Sequence, residues 1–255
     1  MEASGRVVVV TGGGSGIGAA LCRAFTGGGA QVVVVADIDT AAATAVATEV
    51  GGIAVTADVT READVAELVR RTLERFGRLD IYCSNAGIAV VGGEDAGDDV
   101  WRRSWDVHVM AHVYAARALL PAMLKRGEGC LLGTVSAAAL LNHVNSAPYA
   151  AGKAAGLSFL EWLAITYGAR GVQVSALCPQ GVRTPMLAQA GDADFLAAGA
   201  LEPEVVAASA IEAMREGRFL VLPHPEVREY VLRRASDHDR WIAGMQRLRA
   251  RVVGA

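Results

Sequence analysis

The chain alternates short apolar runs with longer stretches in which apolar residues recur every three or four positions. The first run, Arg6–Val10, is continuous and β-branched, as a strand buried on both faces requires. Gln31–Ala36, Ile53–Ala57, Leu79–Cys83, Cys130–Val135, Val172–Cys178 and Arg218–Leu222 repeat the pattern, giving seven predicted strands. Helical periodicity fills the gaps: an Ala/Leu-rich helix that stops at Gly27–Gly29, then Thr40–Val50, Arg61–Phe76, Asp98–Arg126, Pro148–Gly168 and Pro203–Glu216. Asp98 or Asp99 is the expected N-cap of the long helix and Gly127 its stop. Pro185–Leu201 reads as an irregular excursion, and helical segments at Pro225–Ala235 and His238–Val252 close the chain. Strands that alternate with helices in this way form a parallel sheet with right-handed crossovers.

The first strand runs into Thr11-Gly12-Gly13-Gly14-Ser15-Gly16-Ile17-Gly18, and a helix follows. A turn that brings backbone N–H groups against a pyrophosphate leaves no room for Cβ atoms and calls for positive φ, so geometry selects glycine. Nineteen positions beyond Gly18 stands Asp37, at the end of the second strand. A carboxylate there accepts from both ribose hydroxyls of an adenosine and repels a 2′-phosphate. No Arg or Lys occupies the turn or positions 36–39, so the expected cofactor is NAD rather than NADP. The fold expected is α/β: a single Rossmann-type doubly wound domain over residues 1–255, with a seven-stranded parallel sheet and helices on both faces. Residues 185–217 should cover the substrate and 225–255 form a helical tail.

Composition narrows the classes further. A chain of 255 residues, 53% of them apolar, buries a core without disulfides or metals, and no metal site is expected. The net charge of −3 and the lack of any like-charge block give no grip on nucleic acid or an anionic membrane. Cys22, Cys83, Cys130 and Cys178 form no CxxC pair, and three fall in apolar strands, where thiols act as small buried hydrophobes. With no signal peptide and no apolar run of roughly 18 residues, a reduced cytoplasmic setting is expected.

Tyr149-x3-Lys153 lies near the start of a helix, where positions i and i+4 share a face. A tyrosine with a pKa of about 10 is a poor base near neutrality, and a neighbouring cation favours its phenolate. Ser136 ends the fifth strand and could steady a substrate oxygen. Each feature alone is ordinary; together, at the C-terminal ends of strands in a nucleotide-binding sheet, they point to catalysis.

Over essentially its whole length the sequence resembles the classical short-chain dehydrogenase/reductase family. The matching motifs are Thr11-Gly-x3-Gly-x-Gly18, Asp58-Val59, Asn85-Ala86-Gly87, Ser136, Tyr149-x3-Lys153 and Pro179…Val182-x-Thr184. The resemblance implies an NAD-dependent dehydrogenase or ketoreductase in which Tyr149 exchanges the proton with the alcohol or carbonyl oxygen. Gly12, Ser15, Gly16, Ile17 and Gly18 would face the pyrophosphate, and Asp37 and Ile38 the adenosine. Asp58 and Val59 would line the adenine pocket. Asn85, Ala86 and Gly87 would steady the sheet and border the cofactor. Pro179, Gly181, Val182 and Thr184 would lie at the nicotinamide, and Lys153 would also reach its ribose. His108 stands where the family carries a catalytic Asn that helps hold a water relay from the lysine. An imidazole can donate, accept and titrate near neutrality, so either His108 replaces the Asn or it leaves the water to a backbone carbonyl. Gln180 replaces the usual Gly after Pro179.

Ile88–Gly93, Ala137–Ser146 and Pro185–Ala200 should surround the reacting carbon. They are mostly apolar and hold no basic cluster, so a hydrophobic secondary alcohol or ketone is expected there, not one gripped by its charge. Asn142 and His143 are the polar exceptions. Surplus small and apolar residues on the Asp98–Arg126 and Pro148–Gly168 helices, in the light of the family, imply a homotetramer, with a dimer second. A non-catalytic NAD-binding regulator and a longer epimerase or dehydratase are the rival readings.

Overall fold

A computed structural model describes residues 1–189 and 196–254. The seven strands are β1 (Val7–Thr11), β2 (Val32–Asp37), β3 (Ile53–Thr56), β4 (Ile81–Ser84), β5 (Gly129–Thr134), β6 (Val172–Leu177) and β7 (Leu220–Val221). They form one parallel sheet in the order β3-β2-β1-β4-β5-β6-β7. The chain winds outward from β1 to β3, then returns to the other side of β1 at β4. This reversal leaves a crevice beyond the C-terminal ends of β1 and β4, where open α/β sheets bind their ligands.

Helices α1 (Gly16–Gly27), α2 (Thr40–Val50) and α9 (Pro203–Glu216) pack with one face of the sheet in one apolar cluster. The other face carries α3 (Glu62–Phe76), α5 (Ala111–Arg126) and α7 (Ala147–Tyr167). β1 and β5 are buried along their whole length, as their unbroken apolar sequences demand. The four cysteines are free and buried.

Several boundaries differ from expectation. The long helix is three pieces: α4 (Asp98–Trp105), a π turn (Asp106–Met110) and α5. The Ala111 N–H reaches back five residues to the Asp106 carbonyl. Gly97, not Asp98 or Asp99, is the N-cap, and both carboxylates sit inside the first turn, where the helix dipole favours negative charge. By length and composition Asp98–Arg126 could cross a membrane, with a mean hydropathy of 1.3 in its most apolar window. Half of that window is buried, and α5 packs on β4, β5 and α3. The last strand shrinks to two residues at the sheet edge. A short helix α6 (Ala138–Leu141) follows β5, and α8 (Pro185–Gln189) opens the excursion, of which residues 190–195 lie outside the described residues. The tail forms α10 (Glu226–Ser236) and α11 (His238–Val253).

Candidate active site

A cleft of about 1620 Å³ opens along the C-terminal edge of the sheet. One end is shaped by backbone. Gly12 and Gly16 adopt φ of +62° and +49°. A Cβ on Gly12 would stand 2.8 Å from the Ala86 Cα, and one on Gly18 would stand 2.0 Å from the Gly12 carbonyl oxygen. Side chains would thus fill the cradle or break the packing of α1 on β1 and β4. Ser15 is the N-cap of α1 but makes no side-chain cap bond, so the first-turn N–H groups face the cleft.

Asp37 is fixed beside this cradle. Its Oδ2 accepts from the Gly14 N–H at 2.9 Å and its Oδ1 from the Asp39 N–H at 3.0 Å, which leaves lone pairs on both oxygens for ribose hydroxyls. Capping of α2 falls to Asp39, which accepts from Ala41 and Ala42. Ile38, Asp58, Val59 and Thr60 line the same cleft. The Asp58 carboxylate accepts from the backbone and hydroxyl of Thr60, at 2.9 and 2.7 Å.

Asn85 ties three strand ends together. Its Nδ2 donates to the Thr11 carbonyl at 2.9 Å, its N–H to the Thr11 hydroxyl at 3.0 Å, and its Oδ1 accepts from Thr134 at 3.0 Å. Ala86 and Gly87 continue this edge into the cleft, opposite Pro179, Gly181, Val182 and Thr184. The Gly16 cradle closes on Thr184, whose Cγ2 would be 2.9 Å from an added Cβ.

Ser136, Tyr149 and Lys153 all line this cleft. Ser146 caps α7, accepting from the Tyr149 N–H at 3.4 Å while donating to the Val90 carbonyl at 2.6 Å, so the turn that carries Tyr149 is tied to the cleft wall. The Lys153 ammonium lies 5.6 Å from the centre of the Tyr149 ring. It donates to the Thr134 carbonyl at 3.1 Å, which leaves two of its three N–H groups. Burial pulls its pKa down to about 8, because desolvation disfavours the cation. Ser136 Oγ accepts from the Ala138 N–H at 3.1 Å.

His108 lies in the π turn, almost wholly buried. Its Nε2 accepts from the Ile88 N–H at 3.3 Å, and its Nδ1 meets the Ser104 hydroxyl at 3.2 Å. Ser104 donates its one proton to the Pro148 carbonyl at 2.9 Å, so Nδ1 must be the protonated nitrogen. Burial first, and the Lys153 charge second, hold the His108 pKa well below its usual value. The ring sits edge-on to Tyr149, 5.1 Å between centres. Gly152 and Gly156 make this approach possible: a Cβ on Gly156 would lie 2.5 Å from the His108 carbonyl oxygen. Both ring nitrogens are thus engaged with protein groups. His112, one turn on, is buried against the Ser84 hydroxyl at 2.7 Å, and burial lowers its pKa to about 3.

Two contributors were not foreseen. His224, buried between β7 and α10, accepts from the Gln180 N–H at Nδ1 (3.2 Å) and donates from Nε2 to the Gly181 carbonyl (3.1 Å). It clamps the loop that borders the cleft at the position where Gln replaces Gly. The second is α11, whose residues form the outer wall. A single His between two prolines, Pro223 and Pro225, carried no periodic signal that could have revealed the clamp.

A doubly wound sheet with a glycine cradle at its switch point, and a Tyr–Lys pair beside it, defines a nucleotide-binding oxidoreductase. The family profile for short chain dehydrogenase matches residues 6–194, and the chain belongs to that family. It is similar to a 2,5-dichloro-2,5-cyclohexadiene-1,4-diol dehydrogenase of Sphingobium indicum, 37% identical over 76% of this chain and 79% of that one. A 1-deoxy-11-beta-hydroxypentalenate dehydrogenase of Streptomyces exfoliatus is 36% identical over 89% of this chain and 86% of its own. Among solved structures, a short chain dehydrogenase/reductase from Burkholderia phymatum in complex with NAD superposes with a TM-score of 0.88. It is 28% identical and covers 94% of this chain and 96% of its own.

Proposed function

We propose that this chain is an NAD-dependent dehydrogenase that interconverts a hydrophobic secondary alcohol and its ketone. The observation that carries the proposal is the convergence of Ser136, Tyr149 and Lys153 on a cleft whose other end is a glycine cradle flanked by Asp37. The cradle fits a dinucleotide because its shape comes from backbone that any Cβ would obstruct. Gly12, Ser15, Gly16, Ile17 and Gly18 would hold the pyrophosphate, and Asp37 the adenosine ribose. Bound NAD supplies the hydride acceptor.

The protein does the rest. Lys153 is a buried cation with no carboxylate partner among the described residues, so a phenolate at Tyr149 would relieve its desolvation. Tyr149 takes the proton from the alcohol oxygen, or returns it in reduction, while the Ser136 hydroxyl holds that oxygen. The remaining Lys153 N–H groups can serve the phenolate and a cofactor ribose. His108 acts as a positioning residue: its ring braces Tyr149, and its Nε2 fixes the backbone at Ile88. Any water relay from Lys153 would then run through backbone carbonyls, with the imidazole outside it.

The named relatives act on a diol and a hydroxylated compound, which supports oxidation of an alcohol. The exposed Trp162 and Ile165 on α7 favour assembly through that helix into a homotetramer, and four free buried thiols suit a reducing cytoplasm. Cofactor choice tests the reading. NAD should be preferred over NADP by at least about tenfold in kcat/KM, and Asp37→Arg should narrow or reverse that ratio. Equal use of both cofactors by the native protein would defeat the assignment of Asp37.

A further inference from the structure

The outer wall of the cleft is α11, which contributes Arg240, Trp241, Gly244, Arg247, Leu248 and Arg251 to its lining. At 3.6 residues per turn, the three arginines fall within about 40° of one another and form a ridge about 16 Å long. Gly244 sits in that ridge, where an added Cβ would meet nothing within 4 Å except Arg247 Nη2 at 3.8 Å. The ridge therefore opens onto the cleft.

Its place is on the substrate side. Trp241 belongs to the apolar cluster of Ala137 and Leu141, next to Ser136. Arg249, on the opposite face of α11, donates to the Val144 carbonyl at 2.7 Å, and Arg234 of α10 donates to the Leu140 carbonyl. Asp37 and Asp58 line the far end.

Charge along the ridge is uncompensated. Of the three other arginines in the lining, Arg102 pairs with Asp98 at 2.8 Å and Arg233 with Glu229 at 3.2 Å, while Arg103, on α4, takes part in no ion pair among the described residues. Arg240, Arg247 and Arg251 take part in no ion pair among the described residues. Asp99, Asp106 and Asp237 also line the cleft, and Asp237 is engaged in capping α11 through the Arg240 N–H at 2.9 Å. Like charges at i and i+4, as at Arg247 and Arg251, weaken a helix unless an anion joins them.

We propose that this ridge is an anion-binding wall, and that the substrate is a secondary alcohol or ketone on an apolar frame with a carboxylate at its far end. The proposal rests on the dehydrogenase reading and refines its substrate class. Apolar residues surround the reacting carbon, and Trp241 and Leu248 continue that surface to the ridge. Arg247 and Arg251, one turn apart, can grip a carboxylate through two planar forks. Because these side chains are exposed, the gain should appear in KM and fade as salt rises.

The test uses matched pairs of secondary alcohols, para-(hydroxyethyl)benzoate and hydroxycyclohexane carboxylate, each against its methyl ester, oxidised with NAD by the full chain. The acids should exceed the esters in kcat/KM by about tenfold or more, through KM, with the gap closing in high salt. A triple Arg240→Gln, Arg247→Gln, Arg251→Gln variant should erase the gap, while Arg247→Lys alone should keep part of it. Circular dichroism checks that the variants are folded. Acids and esters used equally, or a preference that survives in the triple variant, would overturn the anion wall. Should neither form of any pair reduce NAD, the dehydrogenase reading is what fails. Calorimetric titration of the NADH-bound protein with the same acids then decides the wall: binding lost in the triple variant upholds it, and binding absent or unaltered overturns it.

Discussion

The two ends of the cleft are built by different means. The cradle end is local: a backbone turn after β1, the Asp37 carboxylate at the end of β2 and the Asn85 side-chain amide after β4, each within a few residues of a strand end. The other end is side chains brought from afar, Ser136 after β5, Tyr149 and Lys153 from α7 and the arginines of α11, with His224 beyond β7 holding the adjoining loop from behind. The first end is constrained by what it must leave out, since an added Cβ at Gly12 or Gly18 meets backbone. The second is constrained by what it must hold in register, and chains of hydrogen bonds through Ser146, Ser104 and His224 do that work.

Disabling the two ends should therefore give different phenotypes. Tyr149→Phe removes the acid/base group and nothing from the cradle. Turnover should fall by roughly 10²–10⁴-fold while NADH affinity, read by fluorescence titration, stays near native. A parallel loss of NADH affinity would show that the ends are not separable. Lys153→Met crosses the boundary. It should cost about a hundredfold or more in kcat/KM yet stabilise the cofactor-free protein, because a cation held at about 8 rather than 10.5 is a burden on the fold. The sign follows from linkage: the penalty is full below pH 8 and is relieved as pH rises towards 10.5, where the native state has released its proton and the unfolded chain has not. The gain at pH 7, by urea denaturation, should approach about 3 kcal/mol at most.

His224→Leu sharpens the comparison from the other side. It strips the partners from the Gln180 N–H and the Gly181 carbonyl, so the loop loosens without loss of any group that touches the reacting atoms. KM for NAD should rise by roughly tenfold with a smaller change in kcat, and His224→Asn, which keeps a donor and an acceptor, should recover part of the loss. A change in stability with KM untouched would make the clamp purely structural.

How far each end could be read from sequence follows the same division. Glycine spacing and the distance from Gly18 to Asp37 are local, and the parallel order of seven strands follows from their apolar runs. The π turn was hidden because apolar residues continue through it and mask the shift of face that one extra residue in the coil produces. Ser104 ties α4 to α7 through the Pro148 carbonyl and His224 acts only through long-range contacts, and no spacing announces those. The three segments expected around the reacting carbon do lack basic residues. The arginines come from the tail, which the sequence placed after the last strand without a partner surface.

A last expected effect concerns acid. His108 and His112 stay neutral when buried, so below about pH 6.5 the unfolded chain takes up protons that the native state refuses. Stability should drop by up to about 1.4 kcal/mol per pH unit for each. His112→Asn should halve that shared contribution in urea titrations between pH 7 and about 5.

The most direct test follows the hydride. The protein saturated with NAD is offered a secondary alcohol deuterated at the carbinol carbon, and the reduced cofactor is collected and weighed by mass spectrometry. One deuterium should appear in the NADH, with 340 nm absorbance rising in step, and Tyr149→Phe should bind NAD while producing almost none. A protein that binds NAD tightly but yields no deuterated cofactor from any secondary alcohol would contradict the account and leave a nucleotide-binding fold without the chemistry.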